Sequence, residues 1–277
     1  MVTFYDEYDV SLEGGYFSSF RKNLGNKLFI YSIARITADL LDCNLILPTN
    51  PLVRRDLFHL GYQNEKFWMD GIYDRKNIEG SKITLSDNDL AYFKTVENFL
   101  NHHGEKPIDI IGYYSKYEYI KPYKDKIKTY YQKYIKPKRN NNDIIIMLRD
   151  STQDARFVLP DEYYMDILEN ENFDRLYVSY DHYYKHSSLF SKIKKFNPIF
   201  LESGIQTLFS EVTSFNKIVA CQGTFSFWAC LLSDANKIYW PSTDDGPNSN
   251  NSRFIGGVNL LVDDEDRYEI VNLKTQI

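Results

Sequence analysis

Apolar residues in this chain recur in short runs that alternate with longer amphipathic stretches, which predicts strands followed by helices. From Leu24 to Leu41 the apolar side chains recur at roughly helical spacing, and Leu45 to Pro48 forms a short apolar run after them. We therefore expect a helix followed by a buried strand. Gly25 and Asn26 are expected in the loop that leads into this helix, where Asn26 either caps the helix or serves a ligand.

Two candidate strands precede this helix, Val2 to Tyr5 and Tyr16 to Phe20. We favour the second as the first strand of the sheet, because it runs directly into residues 21–26. Asp109 to Tyr114 is a further candidate strand in the same half. These short elements predict an N-terminal α/β domain.

The second half shows the same alternation more regularly. The predicted strands are Asp143 to Leu148, Arg175 to Ser179, Pro198 to Leu201, Lys217 to Ala220 and Lys237 to Trp240, and the predicted helices are Pro160 to Glu169, Ser187 to Lys195, Ile205 to Ser214 and a last one that follows Gly223 and ends near Ser233. Pro241 is expected to stop the final strand. Together the two halves predict an α/β fold of two Rossmann-like, doubly wound domains that face a cleft.

The segment from Lys136 to Asn142 is polar and has no hydrophobic periodicity, which is typical of a linker. We therefore predict an N-terminal domain of residues 1–138 and a C-terminal domain of residues 139–277.

Composition narrows the classes of function. The net charge of -5 lacks the basic excess of a nucleic-acid-binding surface. The three cysteines, Cys43, Cys221 and Cys230, have no zinc-like spacing and form no disulfide framework, which favours a reducing, cytoplasmic setting. We expect no membrane span, because no apolar run approaches ~20 residues, and no signal peptide, because the first nine residues are acidic.

The stretch from Lys217 to Pro241 carries the main candidate chemistry. It predicts a strand, a turn and an apolar helix, and the turn contains Gly223, Thr224 and Ser226. Ligands of doubly wound sheets bind at the carboxyl ends of strands, where a helix N-terminus and hydroxyl groups can hold a phosphate. The turn is therefore a candidate anion cradle, unless Thr224 only caps the helix.

Further polar residues follow other predicted strands. Arg149 offers a planar guanidinium for bidentate phosphate binding, with an interdomain salt bridge as the alternative. Ser179, Tyr180 and Asp181 stand where such folds contact ribose or base, although Asp181 can instead cap a loop. Arg156 is a second candidate phosphate ligand, with a surface role as the alternative. Arg253, in the polar loop of residues 242–256, is assigned to the surface, with closure over the phosphates as the alternative.

Four parts of the chain resemble, in the same order, motifs of the family 11 glycosyltransferases, the α-1,2-fucosyltransferase group. Asn23 to Arg35 is similar to G-L-G-N-Q-x-F-Q-Y-A-x-A-R, Ile111 to Tyr119 to G-Y-F-Q-S-x-x-Y-F, Ile144 to Tyr164 to H-I-R-R-G-D followed by R-F-V-L-P-x-x-Y-Y, and Gly223 to Ala235 to S-T-F-S-W-W-A-A-x-L. The resemblance spans nearly the whole chain.

This resemblance implies a GT-B architecture and transfer of a sugar, with inversion and without a required metal or cofactor, from a nucleotide sugar to a glycan hydroxyl. It implies that Arg149 binds the donor diphosphate and that Asn26, with Gly25 beside it, lies near the phosphates and sugar. Around the last motif the implied donor-binding residues are Gln222, Gly223, Thr224, Phe225 and Ser226.

Departures from the family's motifs bear on the donor. Met147 replaces the motif's His, Asp150 and Thr152 replace its second Arg and acidic residue, and Lys27 stands where Gln is usual. GDP-fucose is the donor that the resemblance implies. A UDP-sugar such as UDP-xylose on the same scaffold, and a non-catalytic glycan- or nucleotide-binding protein, are the alternatives.

The acceptor hydroxyl requires a general base, for which carboxylates are the candidates. Asp70 and Asp74 are those of the N-terminal domain, and Asp150 and Asp154 those of the C-terminal domain. The nearest approach to a metal-binding D-x-D sequence, Asp87 to Asp89, lies in the half opposite the expected donor site, and no metal ligand set is predicted.

Overall fold

The computed structural model describes residues 2–4, 24–43, 45–47, 65–67, 83–104, 108–112, 114–149, 158–180, 188–243 and 259–273. The chain divides into two compact units, residues 1–130 and 131–277, which we call the N-terminal and C-terminal units. Each unit contains a parallel sheet with helices between its strands, so the predicted α/β class is confirmed. None of the helices in these ranges is both long enough and apolar enough to cross a membrane.

The N-terminal unit contains a parallel sheet of five strands in the order β3-β2-β1-β5-β4. Its strands are β1 (Val2–Phe4), β2 (Leu45–Leu47), β3 (Glu65–Phe67), β4 (Ile83–Ser86) and β5 (Ile108–Ile111). Its helices are α1 (Leu24–Leu40), α2 (Asp87–Phe93), α3 (Val96–His103), α4 (Tyr117–Ile120) and α5 (Lys124–Tyr131), with a 3-10 turn at Lys121–Tyr123. The boundary between the units falls before Tyr131, the last residue of α5.

The first strand of this sheet is Val2–Phe4, the alternative that the sequence analysis ranked second. It pairs with both β2 and β5, and so lies in the middle of the sheet. Tyr16 to Phe20, which we favoured, lies outside the described residues. The helix and strand predicted after them are confirmed as α1 and β2, and the strand predicted near Asp109 is confirmed as β5.

Helix α1 is buried along most of its length, including polar positions. Its apolar residues Leu28, Ile33 and Ile36 are fully buried, as their spacing predicted. Arg35 is also buried, and its Nε donates to Asp39 Oδ1 one turn later at 2.8 Å. Tyr130 Oη donates to the other oxygen of Asp39 at 2.5 Å and so holds the carboxylate beside Arg35. The pairing of Arg35 with Asp39 offsets the cost of burying the guanidinium.

The C-terminal unit contains a parallel sheet of six strands in the order β11-β10-β9-β6-β7-β8. Its strands are β6 (Ile144–Leu148), β7 (Leu176–Tyr180), β8 (Ile199–Leu201), β9 (Lys217–Val219), β10 (Lys237–Thr243) and β11 (Tyr268–Leu273). Its helices are α6 (Asp161–Asn170), α7 (Ser188–Ile193), α8 (Ile205–Val212) and α9 (Thr224–Leu232), with 3-10 turns at Gln132–Tyr134 and Lys194–Phe196. All nine elements predicted between Asp143 and Trp240 are present, with ends shifted by a few residues.

Strand β10 does not stop at Pro241, and that prediction is wrong. The N–H groups of successive strand residues point to opposite neighbours, and Ile238 N–H donates to Arg267 O, just before β11. Pro241 is in the opposite phase and faces β9, whose pairing with β10 ends at Tyr239. The ring therefore removes no bond to β11, and that pairing continues to Thr243.

The polar segment expected to be a linker is attached to the C-terminal unit. Lys136 N–H donates to Thr213 Oγ1 at 3.1 Å, and Arg139 N–H donates to Ser214 O at 2.8 Å. The Arg139 guanidinium lies 4.0 Å from the centre of the Phe215 ring. These contacts explain why the units divide after Tyr130, ahead of the boundary that polar composition predicted.

Glu171, at the C-terminal end of α6, joins the beginnings of two strands. Its carboxylate oxygens lie 2.9 Å from Lys217 Nζ and 2.9 Å from Lys237 Nζ, and the hydroxyl of Tyr239 also donates to it. Burial alone would raise the pKa of Glu171, but the hydrogen bonds from Tyr239, Lys217 and Lys237 outweigh it and lower the pKa to about 2. The ionised carboxylate therefore stabilises the fold.

We expect Glu171→Gln to lower the free energy of unfolding by about 1 to 2 kcal/mol at pH 7, allowing for solvent screening at a partly exposed site. The pKa falls from 4.5 in the unfolded chain to about 2 in the native protein. The stabilisation is thus complete above about pH 4.5 and is lost as the pH falls toward 2. Urea denaturation at several pH values measures this.

The matched control is Glu169→Gln, which removes an exposed carboxylate that pairs only with Lys195 among the described residues. Its effect should stay below about 0.5 kcal/mol. A difference between wild type and Glu171→Gln that is as large at pH 3 as at pH 7 would contradict the assignment.

Candidate functional site

The strand order of the C-terminal unit reverses between β6 and β9. From β6 the chain proceeds to β7 and β8 on one side of the sheet, and then returns to β9, β10 and β11 on the other. The connections that leave β6 and β9 therefore run in opposite directions from neighbouring strand ends. In open parallel sheets this arrangement creates a crevice at the carboxyl edge, which is the usual place of a ligand.

Arg149 lies at this crevice because it directly follows β6. Strand β6 is buried at every position, so its backbone is held rigidly in the middle of the sheet. The Arg149 side chain is partly buried, and its Nη1 donates to Gln222 O, in the turn after β9, at 3.3 Å. The guanidinium thus reaches across from one central strand end to the next.

Gly223 allows this close approach. Its φ of 122° lies in the region that side chains disfavour, and a Cβ at this position would overlap Arg149 Nη1 and lie 3.5 Å from Arg149 Cζ. The backbone conformation therefore requires glycine, and a side chain at this position would also displace the guanidinium from Gly223. The pairing of Arg149 with Gly223 is the geometric basis of the candidate site.

Helix α9 begins immediately after this glycine, with Gly223 as the cap residue. The alternative reading of Thr224 as the cap is therefore wrong, because Thr224 is the first helical residue and no side-chain cap bond is formed at this end. The first intrahelical bond runs from Phe227 N–H to Gly223 O at 3.0 Å. The N–H groups of the first turn and the helix dipole thus add positive potential beside Arg149.

The opposite end of α9 is closed by a second arginine. Arg267 Nη1 donates to Ser233 O at 2.6 Å, and its Nη2 donates to Leu231 O at 3.2 Å. A cation at a helix C-terminus satisfies the last carbonyl groups and favours the dipole. Arg267 therefore anchors the helix whose other end lies at the crevice.

The remaining residues of the turn serve the core. Ser226 is buried, and its Oγ accepts from Cys221 N–H at 3.1 Å and lies 3.4 Å from Met147 Sδ. Gln222 is buried as well, and the ring of Phe225 packs against that of Phe209 at 5.6 Å. Of the two hydroxyls expected in an anion cradle, Ser226 closes the turn, whereas Thr224 is partly exposed.

Arg149, Gln222, Gly223 and Thr224 are thus brought together at the reversal of strand order, and we call them the switch-point cluster. It combines a guanidinium, a helix N-terminus and a glycine whose missing side chain lets the guanidinium approach the backbone. A guanidinium and helix N–H groups both favour anions with several oxygen atoms, such as phosphates.

The ends of the next two strands carry other polar groups. Ser179 is buried near the end of β7, beside Met147 in the ladder with β6. Tyr180 Oη donates to Glu202 Oε1 at 2.7 Å, just after β8. The bond to Glu202 is the main reason that the pKa of Tyr180 is raised.

Gly25 and Asn26 belong to the N-terminal unit, and their predicted place in a loop is wrong. Helix α1 already includes Leu24, so both residues lie in its first turn. Gly25 is buried and Asn26 is partly exposed. Because Asn26 lies within the helix, the reading of it as a residue that precedes and caps the helix is also wrong.

Other residues chosen from the sequence fall outside the described part of the chain. They are the catalytic candidates Asp70 and Asp74, the donor-binding candidates Arg156 and Asp181, the further carboxylates Asp150 and Asp154, and Arg253. Their roles stay predictions.

The Asp87 to Asp89 segment serves local structure. Asp89 Oδ2 accepts from Ser86 N–H at 2.7 Å and completes a capping box at the start of α2. Asp87 Oδ1 accepts from Tyr114 N–H at 2.7 Å. Within the described ranges, no three His, Cys, Asp or Glu side chains are grouped so as to hold a metal ion.

Two tyrosines to which the sequence analysis assigned no role form hydrogen bonds with the backbone next to the switch-point cluster. Tyr163 and Tyr164 are buried in the first turn of α6, and their hydroxyls contact backbone carbonyls near the ends of β6 and β9. The paired tyrosines were visible within the segment similar to R-F-V-L-P-x-x-Y-Y. Their role was not, because a pair of apolar helix residues is most simply read as core.

Comparison of the chain with protein-family models, with curated proteins and with solved structures found no match.

We expect Gly223→Ala to lower the free energy of unfolding by about 2 kcal/mol, mainly because of the unfavourable φ and to a smaller extent because the Arg149 guanidinium must move. Part of this loss should be recovered in the double variant with Arg149→Ala, which removes the overlap but keeps the backbone strain. Chemical denaturation of the two single variants and the double variant measures the coupling.

Gly204→Ala is the matched control, because Gly204 is also the residue that caps a helix. Its φ is -60° and an added Cβ would meet nothing within 4 Å. The change should stay within about 1 kcal/mol. Equal losses for the two glycines would show that neither the φ of Gly223 nor its contact with Arg149 constrains this position.

Proposed function

We propose that the protein is an inverting, metal-independent glycosyltransferase that moves a sugar from a nucleotide-sugar donor to a glycan hydroxyl. The observation that carries this proposal is the packing of Arg149 against Gly223 at the N-terminus of α9. The resemblance to family 11 glycosyltransferases supports it, because two of the similar segments supply Arg149 and Gly223.

Arg149 is the principal catalytic residue of the proposed reaction. Glycosyl transfer leaves a diphosphate whose negative charge grows as the bond to the sugar breaks, and fixed positive groups stabilise that charge. The guanidinium provides one such group and the N–H groups of α9 provide others. Because both are held by the central strands of a buried sheet, little reorganisation accompanies the reaction.

The roles of Asn26 and Gly25 rest on the resemblance, whereas the other assignments rest on the positions and chemistry of the residues in the sequence. Asn26 and Gly25 lie near the donor phosphates and sugar, and Arg156 supplies a further cation. Ser179 and Asp181 contact the ribose or base. A carboxylate, Asp70 or Asp74, removes the proton from the acceptor hydroxyl as it attacks.

GDP-fucose is the proposed donor, on the strength of the resemblance. One observation favours a second candidate, a UDP-sugar such as UDP-xylose. The residue that replaces the motif's His, Met147, is buried with its sulfur 3.4 Å from Ser226 Oγ, and so offers a donor sugar no hydrogen-bonding ring. Loss of that ring also favours a non-catalytic nucleotide- or glycan-binding protein as a third candidate.

The proposal includes a GT-B architecture, with residues 1–138 as the acceptor side and residues 139–277 as the donor side. Support comes from the resemblance and from the presence of a parallel sheet in each unit. A cytoplasmic location is also proposed, since none of the three cysteines forms a disulfide among the described residues.

We expect Arg149→Ala to reduce turnover by roughly 10²-fold, because it removes a charge that stabilises the leaving diphosphate. The turnover of Arg149→Lys should lie between that of the parent protein and that of Arg149→Ala, because an ammonium keeps the charge but not the planar fork. Hydrolysis and transfer are measured with GDP-fucose, UDP-xylose and other common donors, together with the thermal shift caused by GDP or UDP.

Arg175→Ala is the control, because Arg175 is exposed and immediately precedes β7, at the edge of the sheet opposite the crevice. An effect of Arg149→Ala below threefold would remove Arg149 from the mechanism. A parent protein that neither turns over any of the donors nor is stabilised by GDP or UDP would contradict the proposed function as a whole.

Activity should be unchanged when divalent cations are removed, because fixed cations take the role that a metal would otherwise play. The rate is measured in buffer with EDTA and again after Mg²⁺ or Mn²⁺ is restored. A loss of more than tenfold with EDTA that Mg²⁺ or Mn²⁺ reverses would show that the reaction requires a metal.

A further inference from the structure

Strand β9 leaves the sheet just before the switch-point cluster, and its ladder to β10 is incomplete there. The last bond runs from Ala220 N–H to Tyr239 O at 2.9 Å. The register places residue 240 opposite Ala220, so the next bond of a parallel ladder would come from the N–H of residue 241 to Ala220 O. Residue 241 is proline, which has no N–H.

Tyr163 occupies the place of that missing donor. Its Oη lies 2.9 Å from Ala220 O and 3.0 Å from Tyr239 O, so its single proton is shared between neighbouring strands. Burial raises the pKa of Tyr163 well above its usual range, which keeps the hydroxyl protonated. Ala220 O therefore keeps a partner although the ladder has ended.

The other side of β9 repeats the pattern. Ile146 pairs with Val219, so one further step would bring Cys221 N–H to Met147 O. Cys221 N–H instead donates to Ser226 Oγ at 3.1 Å, which turns the chain toward α9. Tyr164 Oη donates to Met147 O at 3.0 Å in its place.

Two consecutive residues of one helix thus replace two successive ladder bonds, one on each side of the departing strand. Consecutive helix residues point about 100° apart, so a single turn of α6 can serve two strands. Without these hydroxyls, Ala220 O and Met147 O would lose the donors that stand in for the ladder, and buried carbonyls need donors. The chain could then recover a donor for Met147 O by continuing the ladder through Cys221 N–H, which would pull residues 221–223 back into the sheet. Ala220 O has no such alternative, because Pro241 has no N–H, and the Tyr163 hydroxyl satisfies it only while the chain follows its present path.

We propose that Tyr163 and Tyr164 are positioning residues that hold the 221–223 turn out of the sheet, so that Gly223 and the N-terminus of α9 stand against Arg149. The tyrosines touch neither the donor nor the reacting atoms and act through the switch-point cluster. The catalytic meaning of this inference rests on the proposed function, whereas the geometry that it describes does not.

Hydrogen exchange of the backbone amides tests the geometry without a ligand. Tyr163→Phe and Tyr164→Phe should each accelerate exchange at Ala220 and Cys221 by tenfold or more relative to the amides of β11. Tyr239→Phe is the matched control, because it removes a hydroxyl that binds Glu171 and leaves the Tyr239 carbonyl in place. It should change exchange at Ala220 and Cys221 no more than elsewhere.

The second measurement is affinity for inorganic pyrophosphate and for GDP. Tyr164→Phe should weaken binding by about tenfold in the parent protein and by less than twofold in an Arg149→Ala background, since its effect passes through Arg149. A purely structural residue would give the same loss in both backgrounds.

Exchange at Ala220 and Cys221 that follows the rest of the sheet in both tyrosine variants would overturn the inference, whether or not a ligand binds. A parent protein that binds neither pyrophosphate nor GDP would instead count against the proposed function, and the exchange result alone would then decide the positioning role. The two failures are therefore distinguishable.

Discussion

Every buried carbonyl of a central strand needs a hydrogen-bond donor, and this requirement organises the C-terminal unit. Strands β6 and β9 lie in the middle of a parallel sheet, where such groups are normally satisfied by the neighbouring strand. At Ala220 and Met147 the neighbouring strand does not supply the donor, and tyrosine hydroxyls take its place. The chain can therefore leave the sheet at this point, and the candidate site lies where it does so.

The electrostatics of the site follow from the same departure. Once residues 221–223 leave the sheet, Gly223 adopts its positive φ and α9 starts next to Arg149. The Arg149 guanidinium and the N-terminus of α9 both carry positive potential. Their proximity is unfavourable until an anion lies between them. Arg267 at the other end of α9 and the ionised Glu171 at the beginnings of β9 and β10 hold the surrounding elements in place.

Particular residues show which features of the site could be predicted from the sequence. The unbroken apolar run of β6 identified a central strand, and Arg149 after it was correctly expected at a strand end. Thr224 and Ser226 looked equivalent in the sequence, but one is partly exposed and the other closes the turn from within the core. Asn26 was expected before a helix and lies inside it, because the apolar spacing that predicts a helix does not fix the residue at which the helix begins.

The sequence by itself determined the α/β class, nearly every element of the second half and the turn at Gly223, because hydrophobic periodicity and glycine act locally along the chain. Only the tertiary structure decided which strand ends are neighbours, and with them the meeting of Arg149 and Gly223 across residues far apart in the sequence. It also decided the roles of Pro241, Tyr163 and Tyr164. A proline was expected to end its strand, yet its effect depends on the neighbour that its missing N–H faces, and that phase is set by strand register alone.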